Sequence, residues 1–446
     1  MRPTFHIMTF GCQMNVGDSD WLAGTLVRRG FEPSSLEEAE LVILNTCSVR
    51  EKSEQKVYSA LGRIVRAMRG DPRSFVALAG CVAQQLGESI FDRFPKVRLV
   101  LGGDGLVFAP DAIERLRADP NARLCFTDFS ADYVERPLEI VSGARVAKAA
   151  AFVNIMQGCD NFCAYCIVPS TRGKPKSRTV EAVLAECRAR LEAGARELVL
   201  LGQNVNAFGQ DAAGGHAGFA ELLRRVAALP GLARLRFVTS HPKDFSPELI
   251  RAFGELEALC PRLHLPLQAG ADQVLARMGR KYDREHYLKL VGRLRAARPD
   301  LAFSTDVIVG FPGESEEDFQ ETLGLMEEVN FMSSFSFCYS DRPGAAAERM
   351  PGKLDAQSKL ERLARLQALQ ERLSGVWLQG RVGSAGVVLL EGASSKPSSR
   401  GEAWRGRDPY GATVNIILPA GVGSPGMLLP VRVIEAKKHS LLAVSA

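Results

Sequence analysis

The sequence predicts an α/β protein that ends in a smaller β-rich unit, and three observations carry that prediction. Strand and helix signals alternate through residues 1–120 and resume at Ala151 for about 220 residues, the pattern of parallel strands with crossover helices. Past residue 376 they give way to short apolar runs separated by Gly, Ser and Pro turns. A chain of 446 residues is also too long for one ordinary core. We therefore expect three units, at 1–120, 145–375 and 376–441.

In the first unit Phe5–Phe10 reads as a strand ending at Gly11-Cys12, and Asp18–Arg29 as a helix with Trp21, Leu22, Thr25 and Leu26 near helical spacing. Leu41–Leu44 is the next strand and runs into Asn45-Thr46-Cys47, followed by a helix over Ser53–Arg69. Phe75–Leu78 ends at Ala79-Gly80-Cys81, and Val97–Leu101 is a fourth strand. Residues 120–150 are weakly patterned and read as a connector, with Cys125 structural and Arg136-Pro137 and Gly143 as boundary marks.

The second unit offers six strands: Phe152–Met156, Leu198–Leu201, Leu235–Thr239, Leu263–Leu267, Phe303–Val309 and Ser334–Tyr339. Helices lie between them at Thr179–Ala193, Phe219–Ala228, Pro247–Leu259, Asp283–Ala297 and Ser315–Val329. Leu354–Leu373 is a charged amphipathic spacer helix. Gly383–Leu390, Ala412–Leu418 and Leu428–Ile434 then predict a small β-barrel of roughly 65 residues, of the kind that binds RNA. From Arg381 to Ala446 there are eight Lys and Arg against four Asp and Glu, within a net charge of +5 for the chain. Lys396, Arg400, Arg405 and Arg407, with Trp404 and Tyr410 nearby, are the candidate RNA contacts. A barrel that only packs on the central unit is the plain alternative.

Composition excludes several classes. Hydrophobic residues make up 46% and charged residues 24%, the balance of a soluble globular protein. No apolar run reaches the length of a membrane span, and the N-terminus enters a strand too early for a signal peptide. Ten cysteines without a secretory signal point to reduced thiols and metal ligation in the cytoplasm.

The chemistry is concentrated in the cysteines. Cys159, Cys163 and Cys166 stand at C-x₃-C-x₂-C directly after the first strand of the second unit, with Tyr165 between the last two. Three thiolates in one tight loop, with no fourth Cys or His close by, suit a cuboidal iron–sulfur cluster with one iron left open. Structural zinc would need a second ligand pair, and a disulfide plus a spare thiol would need an oxidising compartment. Cys12, Cys47 and Cys81 each follow a strand, 35 and then 34 residues apart. The carboxyl ends of parallel strands form one crevice, so these three are expected to converge there. Each taken singly could be a small buried hydrophobe.

The motif Cys159-Asp160-Asn161-Phe162-Cys163-Ala164-Tyr165-Cys166 resembles the signature of radical S-adenosylmethionine (SAM) enzymes. That resemblance implies a partial (βα)6 barrel with a 4Fe–4S cluster on Cys159, Cys163 and Cys166. SAM would chelate the open iron and be cleaved to a 5′-deoxyadenosyl radical. Tyr165, Gln203, Asn204 and Gln268 sit at equivalent places on the barrel rim and are the candidate cofactor-binding residues. His241, before Pro242, reads equally well as a turn residue or a catalytic one.

Over nearly its whole length the chain resembles the radical SAM methylthiotransferases of the MiaB type, which act on tRNA. The words that carry this are Gly11-Cys12-Gln13-Met14-Asn15, Asn45-Thr46-Cys47-Ser48-Val49-Arg50-Glu51-Lys52, Gly80-Cys81-Val82-Ala83, Leu201-Gly202-Gln203-Asn204-Val205-Asn206, Thr239-Ser240-His241-Pro242 and Gly310-Phe311-Pro312-Gly313-Glu314. The family implies an auxiliary 4Fe–4S cluster on Cys12, Cys47 and Cys81, a radical SAM core and a C-terminal TRAM domain that binds RNA. The implied reaction is methylthiolation of carbon 2 of N6-isopentenyladenosine beside the anticodon, with two SAM consumed. It further implies a monomer served by an electron donor such as flavodoxin or ferredoxin and by a sulfur or iron–sulfur donor. Other substrates (another tRNA adenosine derivative or a ribosomal protein) and a non-enzymatic iron–sulfur or sulfur carrier that binds RNA are the rival readings, as is a zinc-dependent RNA-binding protein.

The chain departs from the family pattern at three places. Lys174-Pro175-Lys176 stands where an acidic residue is usual before Ser177-Arg178, Gln268-Ala269-Gly270-Ala271 where Gln-Ser-Gly-Ser is frequent, and Ala345-Ala346 where Thr-Pro is usual. A reversed charge and lost hydroxyls near the rim would alter SAM or base contacts.

Overall fold

Leu41–Thr46, Phe75–Gly80 and Val97–Leu101 are buried along their whole length, as parallel strands covered on both faces must be. In the computed structural model, which describes residues 2–48, 53–68, 73–137, 149–211, 218–394 and 401–446, they are β3, β4 and β5 of a six-stranded sheet. The order is β2-β1-β3-β4-β5-β6, with β1 at Thr4–Thr9, β2 at Glu32–Pro33 and β6 at Leu124–Phe126, all parallel. Trp21, Leu22 and Leu26 of the helix Gln13–Arg28 cover one face together with Ile113 and Leu116. Val57, Leu61 and Ile64 of the helix Ser53–Ala67 cover the other.

Two expectations change here. The first helix starts at Gln13, not Asp18, because extended Cys12 caps it and Asn15 is tied down by hydrogen bonds from its Nδ2 to Asn45 Oδ1 and to the Thr46 carbonyl. Residues 124–126 are not connector: Cys125 lies on β6, the sheet edge beside β5, so the first unit extends past residue 120. Gly143 and residues 49–52 lie outside the described residues.

The second unit is a half-closed ring of six parallel strands in sequence order. β7 (Ala150–Asn154), β10 (Glu197–Leu201) and β11 (Arg234–Phe237) form one sheet, and β12 (Arg262–His264), β13 (Ala302–Val309) and β14 (Ser333–Cys338) form another. Among the described residues the two sheets are linked by an isolated parallel bridge, Leu235 to Leu259. The short strands β8 (Met156–Gln157) and β9 (Lys176–Ser177) pair as a ribbon beyond β7. Val153, Leu200, Phe237, Leu265, Val307 and Val309 face the helices and build the main core. The five expected helices are present within a few residues of their expected ends, together with short ones at Val168–Arg172 and Asp272–Arg277.

Among the described residues no helix is long and apolar enough to cross a membrane. The last helix runs from Ala356 to Gln379, past the expected boundary at 376, because Leu378 and Trp377 pack into the tail's own core. The tail is a closed barrel in the order β15-β16-β17-β19-β18, at Ala385–Ala393, Glu402–Arg407, Thr413–Leu418, Leu441–Ser445 and Leu428–Ala436. Strands β16 and β19 lacked a sequence signal: β16 is interrupted by Arg405, Gly406 and Arg407, and β19 is short.

The tail docks against the amino ends of β11 and β12. Arg234 donates to the carbonyls of Arg407 and Val387 at 2.8 and 2.7 Å, and Arg236 and Arg262 to those of Asp408 and Tyr410. Trp404 is buried in the tail core and belongs to packing, which corrects the sequence reading, while half-buried Tyr410 lies under Arg381 and bonds Asp300. Lys396 and Arg400 lie outside the described residues. Arg405 and Arg407 are exposed on β16, each paired with Glu391.

Candidate active site

Cys12, Cys47 and Cys81 end three strands, β1, β3 and β4, that are neighbours in the sheet, and this adjacency brings them together. A Cβ added to Gly11 would strike the Cys47 Cβ at 2.6 Å, and one added to Gly80, at φ +90, would meet the Thr46 carbonyl at 2.2 Å. Only glycine lets these strand ends approach so closely. Under the crevice Asn15 and Asn45 form a fully buried network: Asn45 Nδ2 donates to the Asn15 carbonyl and to Ser19 Oγ, and Cys12 Sγ to Asn15 Oδ1. Solvent reaches Cys12, while Cys47 and Cys81 are buried.

The thiols act on one another. Cys12 is drawn down to about 6, first by a hydrogen bond from Cys47 and then by the charge of Arg172. Cys81 is lowered by the same two neighbours, and Cys47, donor to both, is raised. Arg172 is buried in the crevice wall with its Nε 3.4 Å from Cys81 Sγ.

Cys159, Cys163 and Cys166 lie in the loop after β8, folded back by bonds from Cys159 N to the Gly173 carbonyl and from Cys166 N to the Cys163 carbonyl. Asn161 Nδ2 and the Val168 N–H approach Cys159 Sγ and Cys166 Sγ at 3.5 and 3.4 Å. Burial raises the Cys159 thiol and pushes Cys166 up to about 12, so a metal must displace protons to bind. Phe162, in the left-handed region at φ 49, stands exposed on this loop. Among the described residues no three Cys, His, Asp or Glu side chains close around a single ion. A cuboidal cluster takes its cysteines on separate irons, so it does not require them to close on one point.

Arg280 went unnoticed in the sequence. It is buried, donates from Nη1 to Cys163 Sγ at 3.4 Å and Tyr165 Oη at 3.2 Å, from Nε to Tyr282 Oη and from Nη2 to the Pro266 carbonyl. One arginine among many in a chain of 56 Lys and Arg carries no local signal.

The remaining sequence candidates divide. Tyr165 is held by Arg280. Gln203 spends both ends on protein: Oε1 accepts from Gly158 N at 2.6 Å and Nε2 meets Met14 Sδ of the first unit, so it positions the cysteine loop. Asn204 donates to Asp244 and keeps a buried Oδ1 without a protein partner among the described residues. Gln268 lies at φ +71, and Thr239, at the end of β11, at φ +69. Left-handed backbone at a branched residue stores strain, which collects at functional sites. His241 caps the short helical turn Pro242–Asp244. Its Nδ1 accepts from Lys243 N while its buried Nε2 has no protein partner among the described residues. Burial, helped by the charges of Arg280 and Lys243, holds it down to about 2 and keeps it neutral.

Two of the three departures can be placed by their surroundings. Lys176 turns away from the rim and pairs with buried Asp104 of the first unit at 2.5 Å, where Gln157 also binds. We expect Lys176→Glu to leave two carboxylates in this buried seam and destabilise the chain by about 3–5 kcal/mol. Denaturant unfolding measures this, and Asp104→Lys in the same chain should recover part of the loss. Ala269 and Ala271 are buried in the main core. Ala271 is the N-cap of the helix Asp272–Arg277 and provides no side-chain bond there.

Both triads lie on the same seam. The helix Gln13–Arg28 lies against β7, where Gly17 faces Phe152 and Asn154, and Arg172 crosses to Cys81. Residues 4–102 match the uncharacterized protein family UPF0004, and residues 153–326 the Radical SAM superfamily. A protein of Nitratidesulfovibrio vulgaris strain DP4 named tRNA-2-methylthio-N(6)-dimethylallyladenosine synthase is 61% identical over 443 residues, covering 99% of this chain and 98% of that one. The chain belongs to that family. A Lawsonia intracellularis protein of the same name is 54% identical over 451 residues, covering 99% of each chain. The fold of the family is also shared with the radical SAM methyltransferase TsrM of Kitasatospora setae, solved with cobalamin and a [4Fe-4S] cluster, at TM-score 0.57 and 14% identity over 78% of this chain and 74% of that one.

Proposed function

We propose that this chain transfers a methylthio group to carbon 2 of N6-isopentenyladenosine, beside the anticodon of tRNA, using SAM and two 4Fe–4S clusters. The observation that carries the reading is the meeting of two cysteine triads, one from each α/β unit, along one seam in a chain 61% identical to a synthase of that name. Cys159, Cys163 and Cys166 would hold one cluster and Cys12, Cys47 and Cys81 the other. When bound, the first cluster with SAM supplies the hydrogen-abstracting radical, and the second carries the sulfur.

The chain's own residues orient and shield that chemistry. Arg280 donates to the Cys163 sulfur from a buried position, and Gln203 fixes the loop against the first unit. His241 and Asn204 keep buried polar atoms free at the rim for SAM or the base. Bases are reached most easily when unstacked in a single-stranded loop, so the target adenine would be splayed into the seam. A reductant such as flavodoxin or ferredoxin and a sulfur donor complete the reaction, and the chain acts in the cytoplasm as a monomer.

Mass spectrometry of nucleosides tests this. Methylthio-free tRNA incubated anaerobically with reconstituted protein, reductant and SAM should yield 2-methylthio-isopentenyladenosine. If 5′-deoxyadenosine forms with no modified nucleoside, the tRNA assignment fails.

The tail docks at the opposite end of the barrel strands from the cysteine loops, and would hold phosphates of the stem. Arg405→Ala with Arg407→Ala should weaken tRNA binding several-fold and reduce the slope of log affinity against log salt by about one to two, leaving turnover of bound tRNA unchanged. Filter binding across a salt series reads this. An unchanged slope removes the tail from the RNA interface.

A further inference from the structure

The inner face of the ring is covered at one end and open at the other. Leu198 and Leu200 of β10 belong to the main core, so Val199 and Leu201 point inward, where Met14 of the first unit packs on them. At the far end β14 is the last strand, with no strand beyond it among the described residues. Its side chains alternate. Ser334 and Ser336 share the outer side, their hydroxyls 3.3 Å apart, and Cys338 on that side packs on the main core and meets the Lys359 carbonyl. Phe335 and Phe337 therefore point inward, in register with Asp306 and Ile308. They are 55% and 40% exposed, two apolar rings that face open space inside the ring and not a core.

Phe335 is also held in place. The His264 ring meets it edge-on at 6.2 Å, and His264 is itself fixed by Asp306 Oδ2, 3.4 Å from its Nε2, and by Ser304 Oγ, 3.2 Å from its Nδ1. The segment after β14 returns to the cysteine loop, where Ala347 N donates to the Ala164 carbonyl at 2.8 Å. We infer that Phe335 binds the isopentenyl group of the target adenosine and so sets the preference for that substrate. This rests on the reading of isopentenyladenosine as the target. Carbon 2 and the N6 substituent leave the adenine ring in different directions. With carbon 2 turned to the cysteine loops at the carboxyl ends of the strands, the N6 group runs back along β14, past Phe337 to Phe335, roughly 7 Å deeper. A hydrocarbon tail gains nothing from the His264–Asp306 pair and gains by covering an exposed aromatic ring. That makes Phe335 a specificity-determining residue, distinct from those that hold the clusters.

The test is a pair of binding titrations. Two anticodon stem-loop RNAs, identical except for isopentenyladenosine or adenosine at the target position, are titrated against full-length reconstituted protein with SAM and no reductant, so that nothing turns over. Unaltered protein should bind the isopentenylated RNA tenfold or more tighter, within the range an apolar pocket gives to added hydrocarbon. Phe335→Ala should bring the ratio of the two affinities close to one. The ratio is the readout because a general loss of structure weakens both RNAs alike. An unchanged ratio in Phe335→Ala, or no preference in the unaltered protein, overturns the inference. Should Phe335→Ala lose its iron, Phe335→Gln, which keeps the bulk and not the apolar face, decides by the same ratio. With reductant added, failure of the unaltered protein to form 2-methylthio-isopentenyladenosine from the isopentenylated RNA would instead remove the proposed substrate, and the inference with it.

Discussion

Cys47→Ala should abolish methylthiolation while SAM cleavage to 5′-deoxyadenosine continues, and Cys159→Ala should abolish both. The expected loss in each case is at least roughly a thousandfold, because the chemistry belongs to the bound group and the chain only places it. Cys47 is the middle member of its triad, in hydrogen-bond contact with both Cys12 and Cys81, so removing it breaks that set while the loop at 159–166 keeps its own bonds. Nucleoside and 5′-deoxyadenosine assays on the same incubations separate the two outcomes. Continued methylthiolation by Cys47→Ala would show that the first triad holds no essential group.

Arg280→Met should be nearly as damaging, for a different reason. The buried guanidinium bonds Cys163 Sγ, Tyr165 Oη, Tyr282 Oη and the Pro266 carbonyl. Removing it leaves the Cys163 sulfur and buried acceptors without their donor, at a cost of about 1–3 kcal/mol. We expect less than stoichiometric iron at Cys159, Cys163 and Cys166 and loss of 5′-deoxyadenosine formation. The visible spectrum and iron content of the purified protein measure the first, and product analysis the second. Full iron occupancy with normal SAM cleavage would assign Arg280 to packing alone.

What could be read in the sequence follows from what is local. The spacing Cys159, Cys163, Cys166 is a property of one loop, and the period of Cys12, Cys47 and Cys81 repeats the length of a βα unit, so both triads were visible before any coordinates. The parallel α/β order, the six strands of the second unit and the β-rich tail come from periodicity, which is also local. The seam was not visible. Arg172, Arg280, the Asn15–Asn45 network and the Lys176–Asp104 pair join residues 30 to 117 positions apart, and nothing in the short-range pattern of a charged or amide residue says which way it will face. Trp404 misled for the same reason: an aromatic residue among arginines looks like a stacking surface until closure of the tail barrel buries it. The sequence by itself determined which thiols and which folds this protein has. Only tertiary packing, inside the barrel for Arg280 and across the seam for Arg172, decided which cations stand beside those thiols, because burial and charge pairing depend on contacts that no local segment encodes alone.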